Sequence, residues 1–344
     1  MKKKFLIIFF AIVLVLNITG CGKKKENKTN EENDENNNQS YNEKLTDGDK
    51  ISIFDVNSND RPLAIVVNNT PIAVQVQEGL NKAYIVYEIP TEGGTSRLMG
   101  IFKDVPDLKV GTIRSARHNF ADFAFESDAI LVAYGWSIYA EAELKNNGII
   151  NNINGIVEGP FWRENPLDLP YEHTAYTSIA QLKDYARDKG YSLESDNSLL
   201  LKYSVEEVNL DNMEGVIPAN VVTLPYGNIN TKFVYDQNSK MYTKIVNDVT
   251  ITDFATSETF TTKNIIVEKI NYGIKENHYY LDLYDVGSGD GYYITNGHAV
   301  PIKWSKETRQ SKTKYTYLDG NEIDVNDGRT YIEVQLNDYP TYIE

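Results

Sequence analysis

Between residues 88 and 117 the sequence gathers three arginines and two glutamates at spacings that can do chemistry. Arg114 and Arg117 flank Ser115 in the segment GTIRSAR (111–117), just ahead of Phe120, Phe123 and Ala124, which recur at helical spacing. Ser115 is then the expected N-cap of a helix running from Ala116 to about Glu126. Two guanidiniums at a helix start, together with unpaired backbone N–H groups and the positive end of the dipole, make a site for an anion. Arg97 opens the return strand of a nearby hairpin and adds a third cation. The occupant is either an outside phosphate, carboxylate or sulfate, or this chain's own Glu88 or Glu92, in which case the cluster is a structural ion pair. Ile113 and Ala116 point to burial and internal pairing for Arg114, and Arg117 is expected to face the cleft.

His173, in PYEHTAY (170–176), is the histidine in a long loop able to cover that cluster, and FWR (161–163) upstream offers an aromatic floor with a cation. The alternative for this loop is that its aromatics merely pin it down. The candidate ligand-binding set is therefore Arg114, Ser115, Arg117, Arg97 and His173. Two acids near a turn can also work as acid and base on a glycan or phosphodiester, which makes Glu88, Glu92 and His173 the catalytic alternative.

Other chemistries fail on composition. The single cysteine, Cys21, allows no intrachain disulfide and no Cys-based zinc site, and the four histidines have no ligand spacing, so neither a metal nor a cofactor is expected. There is no G-x-S-x-G elbow, and SKTK (311–314) lacks the partner motifs of the penicillin-recognising enzymes. DVNDG (324–328) departs from calcium-loop spacing and reads as a turn. A net charge of −15, with no basic stripe, argues against nucleic acid as a partner.

The amino terminus reads as an address. Lys2–Lys4 precede an unbroken apolar run from Phe5 to Leu16, and ITGC (18–21) is a lipobox in which Cys21 accepts the lipid. Residues 1–20 are thus expected to be a lipoprotein signal peptide. Residues 21–50, rich in Lys, Glu and Asn, are too polar to build a core and read as a disordered tether on the extracytoplasmic face of the cell membrane.

The elements that must position the arginines follow. Leu63–Val67 is a buried strand, 84–102 a hairpin turning at Gly93-Gly94, and Ala129–Tyr134 a third strand. Ser137–Asn146 and Thr177–Lys189, the latter capped by Ser178 and ended by Gly190, are helices, and 147–176 is a long loop. Beyond residue 205, strand-like runs at 221–224, 232–235, 242–246, 264–270, 278–284, 291–295, 299–304, 313–317 and 331–335 alternate with turn pairs such as Asn296-Gly297. The expected fold is α+β: an N-terminal mixed α/β domain over 51–205, then a mostly antiparallel β domain over 206–344.

Taken in order, RPLAIVVNN (61–69), EGL (78–80), IVYE (85–88), EGG (92–94), Arg97 and GTIRSAR (111–117) resemble the YerB-like lipoproteins of spore-forming and related bacteria. Downstream, VGSG (286–289), Gly297, Trp304 and YIEV (331–334) resemble that family's C-terminal β domain. The chain has His118 where the family commonly has proline, and YEHT (171–174) where it commonly has Ala-Pro-His-Asn, so His173 matches the family's loop histidine while its neighbours differ. The resemblance implies an envelope address and two domains, and no reaction. The expected function is a membrane-anchored extracytoplasmic lipoprotein that binds an anionic or cell-wall glycan ligand or an envelope protein; the alternative is an envelope hydrolase. Membrane lipid through Cys21 is the one specific partner expected.

Overall fold

The computed structural model describes residues 51–344 except 196–198 and 276–278. The expected signal peptide, Cys21, the expected tether over 21–50 and His278 lie outside the described residues. The apolar run after Pro62 forms β1 (Leu63–Asn68), buried at every position, and the Gly93-Gly94 hairpin forms β2 (Ile85–Thr91) and β3 (Thr95–Phe102). Both glycines take positive φ, +75° and +65°, as a tight three-residue turn requires. Lys109–Gly111 is β4, Ile130–Ala133 is β5 and Asn152–Asn154 is β6. Phe161–Arg163 is β7 and Ala175–Ser178 is β8, so the expected loop over 147–176 contains strand structure.

The large sheet continues with β9 (Asn264–Ile270), β10 (Gly287–Thr295), β11 (His298–Lys306) and β12 (Thr330–Leu336). Its order is β11-β10-β9-β12-β2-β3-β1-β5-β6, with 217–218 beyond β11 at one edge. The sheet therefore carries strands from both halves of the sequence, joined by the parallel pairing of β12 with β2. A second, antiparallel sheet holds Val221–Pro225, Asn230–Asp236 and Met241–Val246.

Side chains alternate across the central strands, and both faces are covered. Tyr87 and Ile89 pack with Phe120, Phe123, Leu144, Leu201 and Tyr203 on one side. Val86 and Leu98 pack with Leu182, Val222, Phe233 and Tyr242 on the other. The fold is strand-rich, and among the described residues three α-helices occur, all short: α1 (Phe120–Phe125), α2 (Ile138–Glu141) and α3 (Ile179–Asp188). The α+β expectation holds at that level, but the N-terminal part, expected as a mixed α/β domain, is mostly strand and not clearly α/β. The later half is also less antiparallel than expected, because β9 and β12 pair in parallel.

Ser137 Oγ accepts from Ala140 N at 3.2 Å at the start of its helix, and the expected Ser178 cap, whose Oγ accepts from Gln181 N at 3.3 Å, is in place. The expected helix from Ala116 is not. Ile113 N donates to Ala175 O, Arg114 N to Val66 O and Ala116 N to Gly135 O, so these residues are tied to neighbouring strands and turns. The helix begins only at Phe120, with Asn119 in the cap position and no side-chain capping bond.

Candidate functional site

β1 and β2 both run antiparallel to β3, and β5 and β6 run parallel to β1. The carboxyl ends of β1, β2, β5 and β6 thus share one edge of the sheet, the place where sheets with parallel strands commonly hold ligands. GTIRSAR crosses this edge. Arg114 is inserted where β1 and β5 separate: its N–H donates to Val66 O at 2.9 Å and its carbonyl accepts from Tyr134 N at 3.0 Å.

Arg117 turns inward. Its Nε lies 3.0 and 2.8 Å from the two oxygens of Glu92, and Nη2 bonds the same carboxylate. Burial acts to raise the Glu92 carboxyl, and the Arg117 bonds overcome it, holding the group below its ordinary range. The Tyr280 ring lies 5.5 Å from the Arg117 guanidinium. Arg97, 7 % exposed, donates to the Ser115 carbonyl and keeps Nη2 3.9 Å from Glu92. Ser115 therefore serves Arg97 through its backbone and caps no helix.

Arg114 is the unpaired arginine. It is half-buried, and among the described residues its guanidinium makes no hydrogen bond or ion pair. Burial lowers its proton affinity, partly opposed by the Glu172 carboxylate and reinforced by Arg117 and Arg163. The expectation is reversed: Arg117 is internally paired and Arg114 is available. The reason is reach, since the β2–β3 turn brings Glu92 to Arg117, while Arg114 is fixed by its own backbone between two strands.

His173 is brought to Arg114, as expected of the loop. It is 7 % exposed, and its Nδ1 lies 2.7 Å from Asn68 Nδ2. Thr70 N donates to Asn68 Oδ1 at 3.1 Å, which fixes the amide so that Nδ2 is the donor toward His173. Neutral His173 consequently carries its proton on Nε2, 3.9 Å from Glu172 Oε1. Burial, against the pull of Glu172 and with help from Arg114, pushes its pKa down. The ring is a donor toward solvent and a poor base.

Several buried polar atoms along this edge lack partners: Asn154 Nδ2 at the end of β6, Arg163 Nε at the end of β7, and Thr70 and Thr112 Oγ1. Buried polar groups in native proteins are nearly always satisfied by protein or by ordered water. Arg163 is held by rings, 4.4 Å from the Tyr134 centroid and 3.6 Å from that of Tyr171. Asn68 is marked in the sequence only as a polar residue closing an apolar run, and Asn154 by no pattern.

Glu88 is not at the recess. It is fully buried and bonded to Lys244 Nζ at 2.6 Å, Ser96 Oγ at 2.6 Å, Asn69 Nδ2 at 3.0 Å and Thr231 Oγ1. With Glu88 enclosed, Glu92 paired and His173 protonated on its outward nitrogen, the three do not form an acid–base set. A cavity of about 550 Å³ lies elsewhere, lined by Lys202, Glu206, Glu207, Asp319, Glu322 and Asp324, and its charge is wrong for an anion.

Comparison with known proteins places these features in a family. The model for "Protein of unknown function (DUF3048) N-terminal domain" matches residues 52–192, and the DUF3048 C-terminal domain model matches 222–332. The chain is 30% identical over 278 residues to "Putative lipoprotein YerB" of Bacillus subtilis, covering 78% of this chain and 77% of that one. The crystal structure of the YerB protein from Bacillus subtilis superposes with a TM-score of 0.71 at 28% identity, over 82% of this chain and 94% of that one. Among the described residues no helix is long and apolar enough to cross a membrane.

Proposed function

We propose, starting from the fact that the chain belongs to the DUF3048 family, that it is a lipoprotein held at the cell membrane through Cys21 and binds an anionic envelope ligand in the recess at Arg114 and His173. The name of the Bacillus subtilis relative and the lipobox ending at Cys21 support the anchor. One observation carries the binding reading: a half-buried guanidinium without a hydrogen-bonded partner stands beside a buried histidine locked as an N–H donor, at the carboxyl edge of parallel strands. The recess offers donors, so its ligand presents acceptors and negative charge. Two carboxylates, Glu92 and Glu172, face four guanidiniums there, those of Arg97, Arg114, Arg117 and Arg163. The hydrolase alternative has no observation in its favour.

Calorimetry with muropeptides and glycerol-phosphate fragments tests the reading. The unaltered protein binds one of them, and Arg114→Ala weakens that binding by about 1–3 kcal/mol, a loss of ~5- to 150-fold. Absence of binding by the unaltered protein to every such anion overturns it.

A further inference from the structure

We infer that the anion received at Arg114 is the phosphate of an anionic phospholipid headgroup, so that this edge of the sheet docks on the membrane; the inference rests on the anion-binding reading above. The observation that goes further is what surrounds the recess. Ile156 and Val157, at the tip of the turn after β6, are 65% and 57% exposed, and Tyr171, whose ring covers Arg163, is 70% exposed. Leu167, on the adjoining turn, is 43% exposed.

These side chains belong to the recess and not to a distant patch. Gly135 has φ +100°, and a Cβ there would lie 2.9 Å from Ile156 Cδ1 and 3.2 Å from Ser115 Cβ, so Ile156 leans over the GTIRSAR segment. Asn154 Oδ1 fixes that turn by accepting from Gly135 N at 2.8 Å and Ile156 N at 3.0 Å. Arg163 donates to the Tyr171 carbonyl and, at 3.1 Å, to Thr174 Oγ1, which ties the Tyr171 loop to the same edge.

A soluble sugar acid would use the donors and leave the protruding Ile-Val pair in water. A bilayer surface uses both. Phosphate oxygens meet Arg114 and His173 Nε2–H, the apolar tips enter the headgroup boundary, and an exposed tyrosine suits the interface between water and lipid. Charge agrees with this choice. The chain as a whole is strongly acidic and repelled by an anionic surface, whereas around Arg114 guanidiniums outnumber carboxylates. Of the acids on these loops, Glu158 is paired with Lys189 and Glu164 with Lys109, while Asp168 and Glu172 are exposed and stay as the opposing charges.

The test is hydrogen exchange read by mass spectrometry on the full lipidated chain, reconstituted in phosphatidylglycerol–phosphatidylcholine vesicles and in pure phosphatidylcholine vesicles. Exchange over residues 155–173 slows by tenfold or more with phosphatidylglycerol and not without it, and Arg114→Gln and Val157→Asp each abolish the slowing while leaving the melting temperature unchanged. Slowing that is equal in both vesicles, or absent from both, overturns the lipid inference. A parallel titration with soluble glycerophosphoglycerol separates the two readings. Binding of the soluble diester at Arg114 without vesicle protection defeats the lipid inference alone, and failure of the diester, the vesicles and every fragment named above defeats the anion site as well.

Discussion

Glu88 and Glu333 face each other across the parallel pairing of β2 with β12, both fully buried, and a single ammonium, Lys244, stands against them. Burial, and then the charge of Glu88, push the Glu333 carboxyl up to about 8. Its Oε2 accepts a 2.8 Å bond from Tyr226. One lysine cannot neutralise two carboxylates, and the protein resolves this by keeping Glu333 protonated near neutrality.

Removing the lysine therefore costs more than removing the second acid. Lys244→Met strands Glu88 in the core and lowers stability by about 3–5 kcal/mol, measured by urea denaturation. Glu333→Gln keeps the shape of the protonated acid and should cost under ~1 kcal/mol at pH 7. Equal losses for the two variants would contradict this assignment.

The two neighbouring arginines should separate in the same assay. Arg117→Ala leaves the enclosed Glu92 carboxylate without its main partner and should cost about 2–4 kcal/mol. Arg114→Ala breaks no side-chain bond and should change stability by less than ~0.5 kcal/mol. A reversed order would restore the reading in which Arg114 is the structural residue.

Stability should fall as pH rises. Asp122, Glu268 and Glu333 are each raised to about 8, burial being the first cause in every case. Between their ordinary values near 4 and about 8 the folded state holds protons that the unfolded chain has released, so increasing pH favours unfolding across that window. The melting temperature should be lower at pH 8.5 than at pH 5.5, and Glu268→Gln should flatten the slope. Below about pH 4.5 the opposite trend sets in as Glu92, held low, loses its pairing with Arg117.

For His173 the readout is the ring nitrogens. Heteronuclear NMR should show the tautomer protonated at Nε2 across pH 6.5 to 8, with a midpoint for ring protonation below 6.5. In Asn68→Ala the ring is free to exchange tautomers and the midpoint rises. A protonated Nδ1 in the unaltered protein at pH 7 would remove the donor from the recess.

Local pattern made much of this legible in advance. The unbroken apolar run at 63–67, the Gly-Gly hairpin, the Ser178 cap and most later strands follow from periodicity and turn chemistry, which act over a few residues. The arginine segment did not follow, because its amphipathic spacing continues into α1 while its backbone is claimed by Val66, Ala175 and Gly135 from distant parts of the chain. The same reason left open which arginine Glu92 would take and hid the Asn68–His173 bond, contacts that join residues 25 and 105 positions apart. Residue types nominated a neighbourhood, and long-range pairing decided which of its arginines takes Glu92.

The seat of β12 between β9 and β2 has a consequence for how the protein comes into being. Until residues 330–336 leave the ribosome, β2 has one bare edge and Lys244 lacks half its surroundings, so the hairpin made in the first third of synthesis waits for a strand made near its end. A polypeptide built this way folds late and by distant contacts. Late pairing of this kind keeps a nascent chain open and threadable until β12 is made. A product cut short before that strand keeps an open sheet edge, ready for a protease to find.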